Sequence, residues 1–181
     1  MVKKLSAPHA ALLLIDVQEK FMPTLFEKER LLKNCALLIE GAKILGLPIF
    51  VTEQYPEKLG ATVPELSQRI PHFSPFSKLA FSACVPDLRK ALDGKKIKQL
   101  LICGIESHVC VMQTVQDGIS MGLEVFVVKD AVTSRTESNW LAGIARMERA
   151  GGESVTTEMA LFEMLKEAGT ETFKQIGKLV R

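Results

Sequence analysis

The sequence predicts an α/β fold, a Rossmann-like three-layer α/β/α sandwich built on a mostly parallel open sheet. Three observations carry that expectation. Short apolar runs such as "AALLLIDV" and "LEVFVVKD" have the continuous hydrophobicity of strands covered on both faces. Between such runs lie segments with apolar residues at helical spacing. The two kinds alternate from end to end, a pattern that asks for parallel strands joined by right-handed helical crossovers. The 181 residues suit a single domain over 1–181, large enough to bury roughly 70% of its unfolded surface.

Taken in order, "AALLLIDV" is the first strand. "EKERLLKNCALLIEGAKILG" follows as a helix closing on glycine. "LPIFVTEQ" is the second strand. Tyr55 to Ser77 reads as a long irregular segment punctuated by Pro56, Pro64, Pro71 and Pro75, with a short helix around "VPELSQRI". "VPDLRKALDG" has proline at its first turn, where a helix tolerates it. "IKQLLICGI" is a strand, and "SHVCVMQTVQDGISMG" a helix with Ser107 as its expected N-cap. "LEVFVVKD" is a strand ending at Asp130. "TESNWLAGIARMERAGG" is a helix, "ESVTT" a short strand, and "TEMALFEMLKEAG" a helix. "TETFKQIGKLVR" supplies one more.

Composition narrows function. The formal net charge is +2 and the lysines are scattered, which argues against a nucleic acid or anionic membrane partner. No leading apolar stretch reads as a signal peptide and no run reaches membrane-spanning length, so a cytoplasmic protein is expected. The four cysteines, Cys35, Cys84, Cys103 and Cys110, lack C-x-x-C spacing, so neither zinc nor a disulfide framework is expected. G-x-G-x-x-G and G-x-x-x-x-G-K-[ST] are both missing, leaving no evident pyrophosphate cradle. No cofactor is expected.

Ligands of open parallel sheets bind beyond the carboxyl ends of the strands. Asp16, Glu53 with Gln54, the "CGIESHVC" turn and Asp130 all stand at such ends and should share one rim. Cys110 lies in what should be the first turn of a helix. Free N–H groups and the positive helix end there stabilise a thiolate and lower its pKa, and the same N–H groups suit a developing oxyanion. A small residue packing helix against sheet explains the position equally well. Asp16 reads as a general base or as the cap of a turn. Lys78 reads as a snorkelling surface lysine or as a cation that holds the charges and orients a substrate. His108 lies two positions from Cys110, a spacing at which helical side chains diverge. Cys103 reads as core, Cys84 as packing near the site, and Asp117 as a structural hydrogen-bond partner. His72 stays unassigned.

"LLLIDVQEKF", then a lysine followed by "FSAC", then "GIESHVCVMQTVQDG" and "KDAVTS", together resemble the isochorismatase-like family of cysteine hydrolases. The resemblance spans nearly the whole chain. It implies an Asp–Lys–Cys triad of Asp16, Lys78 and Cys110. It also implies a cis peptide at Ile105–Glu106 and an oxyanion hole of the Glu106 and Cys110 N–H groups. By position, Glu53 and Gln54 at a strand end and Phe21, Tyr55 and Phe81 beside the candidate loops are substrate-pocket candidates, the three aromatics reading equally as ordinary core or subunit contacts. Nicotinamidases of this family carry a metal site around Asp-x-His after the second strand. Here that place reads "VTEQYPEKLG", with no histidine between His9 and His72, so no metal is expected and the metal-free branch of isochorismatase domain-containing proteins is the better likeness.

The reaction the resemblance implies is attack on a small amide or related acyl C–N substrate through a thioester, within a homo-oligomer. Members that act on isochorismate often lack the cysteine. The alternatives are a non-catalytic scaffold or ligand-binding protein of the same fold, a nicotinamidase or isochorismatase proper, and a redox sensor with Cys84 resolving Cys110.

Overall fold

The computed structural model describes residues 3–181. Its order is β1 (Ala10–Ile15), α1 (Lys28–Leu45), β2 (Ile49–Gln54), the one-turn helices α2 (Pro56–Leu59) and α3 (Pro64–Ser67), β3 (Phe76–Lys78), α4 (Pro86–Gly94), β4 (Gln99–Ile105), α5 (Met112–Ser120), β5 (Glu124–Thr133), α6 (Glu137–Arg149), β6 (Glu153–Val155), α7 (Thr157–Leu165) and α8 (Glu171–Leu179). The six strands form one sheet in the order β3-β2-β1-β4-β5-β6, and every pairing is parallel. This is the α/β arrangement that the alternating pattern demands.

Local sequence explains the boundaries. All six residues of β1 are buried, and its side chains divide by parity as a strand requires. Leu12 and Leu14 join the core layer that holds Cys35 of α1 and Leu161 of α7. Ala11, Leu13 and Ile15 join the opposite layer, with Leu88 of α4, Val115 of α5 and Ile144 of α6. Helix α1 stops at Gly46, whose left-handed φ of 71° lets the chain turn back. Thr136, Thr156 and Thr170 cap α6, α7 and α8 through their side chains.

Three local expectations need correction. The segment expected to be irregular through Ser77 ends in strand β3, which pairs with β2 and carries Lys78 opposite Gln54. Ser107 does not cap the helix after β4. Glu106 holds the N-cap position, and residues Ser107–Val111 form a π-type turn ahead of α5. Asp130 does not end its strand. The β4–β5 register jumps from Ile102↔Val127 to Gly104↔Val132, so β5 bulges around Asp130 and runs on to Thr133. The Asp130 carboxylate accepts from Thr157 N and Oγ1, at 2.8 and 3.0 Å, and anchors the start of α7.

The sheet order reverses direction between β1 and β4. Crossovers on either side of that point diverge and leave a crevice beyond the strand ends. Asp16 follows β1 and the turn bearing Cys110 follows β4, so both flank it. Among the described residues, no helix is long and apolar enough to cross a membrane.

Candidate active site

Asp16 leaves β1 with a left-handed φ of 54°, a conformation that aspartate tolerates better than most residues. Its carboxylate is enclosed. Thr52 Oγ1 donates to Oδ1 at 2.7 Å and Lys78 Nζ donates to Oδ2 at 2.7 Å. The Cys110 thiol lies close enough for it and the carboxylate to act on each other's ionisation. Asp16, Lys78 and Cys110 are thus brought together from three strand ends, and all are buried.

Lys78 is fully committed. Its Nζ faces Asp16, Gln54 Oε1 at 2.7 Å, Ala80 O at 3.2 Å and Phe81 O at 2.9 Å. An ammonium has three protons, so four acceptors exhaust it. The lysine therefore has no donor left to orient a substrate.

The pocket candidates separate. Gln54 is turned inward, its Nε2 donating to Leu79 O at 2.9 Å while its Oε1 faces Lys78. Glu53 Oε1 accepts from Thr62 N and Oγ1 at 2.7 and 2.8 Å, and so fixes the loop above β2. Phe21 packs against the core layer under α1. Tyr55 and Phe81 are exposed, by 41% and 54%, as is Leu79 by 72%. These three exposed apolar residues follow Gln54 and Lys78 in the chain.

The turn after β4 brings Cys110 into place. The Ile105–Glu106 peptide is cis. Glu106 O accepts from Val109 N at 3.0 Å and Val111 N at 3.1 Å, straddling Cys110. Gly104 makes this approach possible. It has φ +117°, and a Cβ there would lie 2.1 Å from Ile15 O, so β1 and β4 can come this close only where a side chain is missing. Gly143 of α6 plays the same part from outside, since a Cβ would lie 2.6 Å from Ser107 O. Thr114 holds the turn from within. Its Oγ1 donates to Cys110 O at 2.7 Å and accepts from Ala83 N at 2.8 Å.

Electrostatics correct one expectation. A helix start was expected to depress the Cys110 pKa, yet the thiol is pushed up to about 12. Burial is the main cause, the Asp16 charge adds to it, and Lys78 only partly opposes them. Burial likewise raises the Asp16 carboxyl, against the Lys78 charge and the hydrogen bonds from Lys78, Thr52 and Cys110. The resting sulfur is thus a thiol beside the Asp16–Lys78 pair, not a standing thiolate.

The other thiols lie apart from this chemistry. Cys103 and Cys35 are core residues. Burial raises the Cys84 thiol, and its Sγ points to Thr114 O at 3.7 Å. His108 Nδ1 faces Ser134 Oγ at 2.9 Å. Among the described residues, no group of three or more His, Cys, Asp and Glu is placed to hold a metal ion.

Sequence reasoning overlooked Thr52, Thr114, Gly104 and Gly143, and took the loop holding Ser134 only as a pocket lining. Only Gly104 left a signal, a glycine inside a strand, which marks close backbone approach.

Comparison with known proteins agrees with this architecture. The family model described as "Isochorismatase domain" matches residues 10–159. Isochorismatase domain-containing protein 2A of Mus musculus is 39% identical over 171 residues, covering 94% of this chain and 82% of the mouse protein. The secreted isochorismatase effector Isc1 of Phytophthora sojae is 37% identical over 180 residues, covering 96% of this chain and 86% of that protein. A structure titled MAR1 ribonuclease from Caenorhabditis elegans superimposes with TM-score 0.93 at 36% identity, over 98% of this chain and 92% of its own. YcaC from Pseudomonas aeruginosa, solved with hexane-2,5-diol and covalent acrylamide, superimposes with TM-score 0.89 at 26% identity, over 97% and 91%. YcaC from Escherichia coli, titled an octameric hydrolase of unknown specificity, gives TM-score 0.90 at 25% identity, over 99% and 91%.

Proposed function

This chain belongs to the isochorismatase family, and from that premise we propose that it is a cysteine hydrolase of small amides or related acyl C–N compounds. The observation that carries the reading is the Asp16 carboxyl, buried between the Lys78 ammonium and the Cys110 thiol. An acid, an amine and a thiol buried together are costly to desolvate, and such clusters concentrate at functional sites.

The reaction proceeds in two halves. Asp16 takes the thiol proton as sulfur attacks the acyl carbon, so the thiolate exists only in passing and the high resting pKa is no barrier to forming it in concert. The N–H groups of Glu106 and Cys110 receive the carbonyl oxygen as it becomes negative. The C–N bond then breaks, Asp16 returns its proton to the leaving nitrogen, and a thioester remains on Cys110. Water attacks that thioester, gives a proton to Asp16, and the C–S bond breaks to release the acid. The proton on Asp16 restores the thiol. Throughout, Lys78 balances the Asp16 charge.

The exposed apolar residues Tyr55, Leu79 and Phe81 fit a small uncharged substrate, and are also surface that a second subunit would cover in a homo-oligomer. The octameric YcaC supports such an assembly. Four free cysteines support a cytoplasmic setting, although one relative is named a secreted effector.

A second reading takes the high thiol pKa as its own observation: the fold is kept without turnover. Mass spectrometry of the intact chain separates the two. Under the first reading, small amides, ureides or activated esters yield an acyl adduct on Cys110 that decays with release of acid, and Cys110→Ala yields none. Neither adduct nor acid from the unsubstituted chain across such a panel supports the second, and equal release from Cys110→Ala rejects the first.

A further inference from the structure

Three consecutive residues of the nucleophile turn are bonded to two consecutive residues of the loop after β5. Arg135 Nε donates to Glu106 Oε1 at 2.9 Å. Ser107 Oγ and Ser134 Oγ lie 2.7 Å apart. His108 Nδ1 lies 2.9 Å from the same Ser134 Oγ. Ser107 and Ser134 are fully buried. The loop is itself pinned from its far side, since Phe26 N donates to Ser134 O at 2.9 Å and Thr133 Oγ1 donates to Phe26 O at 2.7 Å. On the outer side, Gly143 of α6 leaves no room for the turn to retreat.

We infer that Ser134 is a positioning residue for acyl transfer: through Ser107 and His108 it sets the pitch of the turn so that the Glu106 and Cys110 N–H groups converge on one point. This rests on the acyl-transfer reading above. One buried hydroxyl is spent on two of the three side chains that lie between the two N–H groups in question. Its partners are aligned by a strand that ends beside β4, where Ile105 pairs with Thr133. A hydroxyl both donates and accepts, so Ser134 can serve Ser107 and His108 at once, whereas alanine serves neither. The turn then keeps its packing against Gly143 but loses the bonds that fix its rotation. A displaced oxyanion donor lowers the rate of acylation without touching the sulfur's own reactivity.

The test separates those two properties. p-Nitrophenyl acetate acylates Cys110 with release of p-nitrophenolate and requires the oxyanion to be held. Iodoacetamide alkylates the same sulfur by displacement of iodide and does not. Ser134→Ala should lower kcat for the ester by about tenfold to a hundredfold with KM unchanged, while alkylation of Cys110 proceeds at the parent rate. Ser107→Ala, which removes the other end of the same hydrogen bond, should give the same split, and serves where Ser134→Ala fails to fold. Ester acylation at the parent rate in either folded variant overturns the inference. So does a parallel fall in acylation and alkylation, which would mark a merely structural serine. If the unsubstituted chain and Cys110→Ala release p-nitrophenolate equally, the acyl-transfer reading itself falls and this inference with it.

Discussion

Lys78 Nζ and Asp16 Oδ2 meet at 2.7 Å with side chains 0% and 1% exposed. Such a pair is held together less by its mutual attraction than by the cost of parting it, because either charge left alone would be stranded without water. The lysine's remaining contacts, to Gln54 Oε1 and two carbonyl oxygens, tie β2 and the loop after β3 to the same point.

Removing one partner should therefore be severe. Lys78→Met should lower stability by about 3–5 kcal/mol, as breaking a buried pair does. Pairing it with Asp16→Asn should recover part of that loss. Urea denaturation of the two variants checks this, and a double variant no more stable than Lys78→Met would show that the Asp16 charge is not what makes the single change costly.

Asp16 is assigned opposing effects on the sulfur, and Asp16→Asn separates them. The Asp16 charge helps to raise the Cys110 pKa, so the variant's thiol should ionise at lower pH and alkylate faster with iodoacetamide at neutral pH. Acyl turnover should nonetheless vanish, because the proton acceptor is gone. Rate against pH for both reactions reads the outcome.

The raised thiol also makes stability depend on alkaline pH. The folded Cys110 thiol sits at about 12 against an ordinary 9.0, so the native chain binds this proton more tightly than the unfolded one. Its contribution is complete below the unfolded value and drains away as pH climbs through the folded one. Cys35 and Cys84, also raised by burial, act with the same sign. Cys110→Ser should lessen the alkaline loss of stability without removing it, as measured by urea midpoints across that pH range.

Two glycines should respond in opposite directions. Gly104→Ala would put a Cβ 2.1 Å from Ile15 O at φ +117°, and should cost at least about 2–4 kcal/mol through strain and overpacking. Gly177, inside α8 with nothing within 4 Å of its missing Cβ, should gain about 0.4–1 kcal/mol as alanine. Thermal melts of the two variants suffice.

The layers of the fold were legible because β1, β4 and the first half of β5 are continuous apolar runs, and because α1 and α6 repeat at helical spacing between them. Asp16 and Gln54 were legible as strand ends. Lys78 was legible only through a family likeness, since β3 is three residues long and too short to announce itself by alternation. Asp130 misled because a polar residue inside an apolar run looks like its end, whereas the bulge lets the strand resume at Ala131. The serine network was invisible for a different reason. Ser107 and Ser134 are 27 residues apart, and a hydroxyl carries no periodic signature by which distant partners declare each other. The thiol's high pKa was misjudged because position at a helix start is local, while burial is a property of the whole packed crevice.

The lysine at the heart of this centre rides on one of the sheet's two edge strands, which among the described residues pairs with β2 alone. Margins of a sheet are where fraying begins. On the proposed mechanism, warming should lower turnover at temperatures where circular dichroism still reports a folded chain, and cooling should restore it.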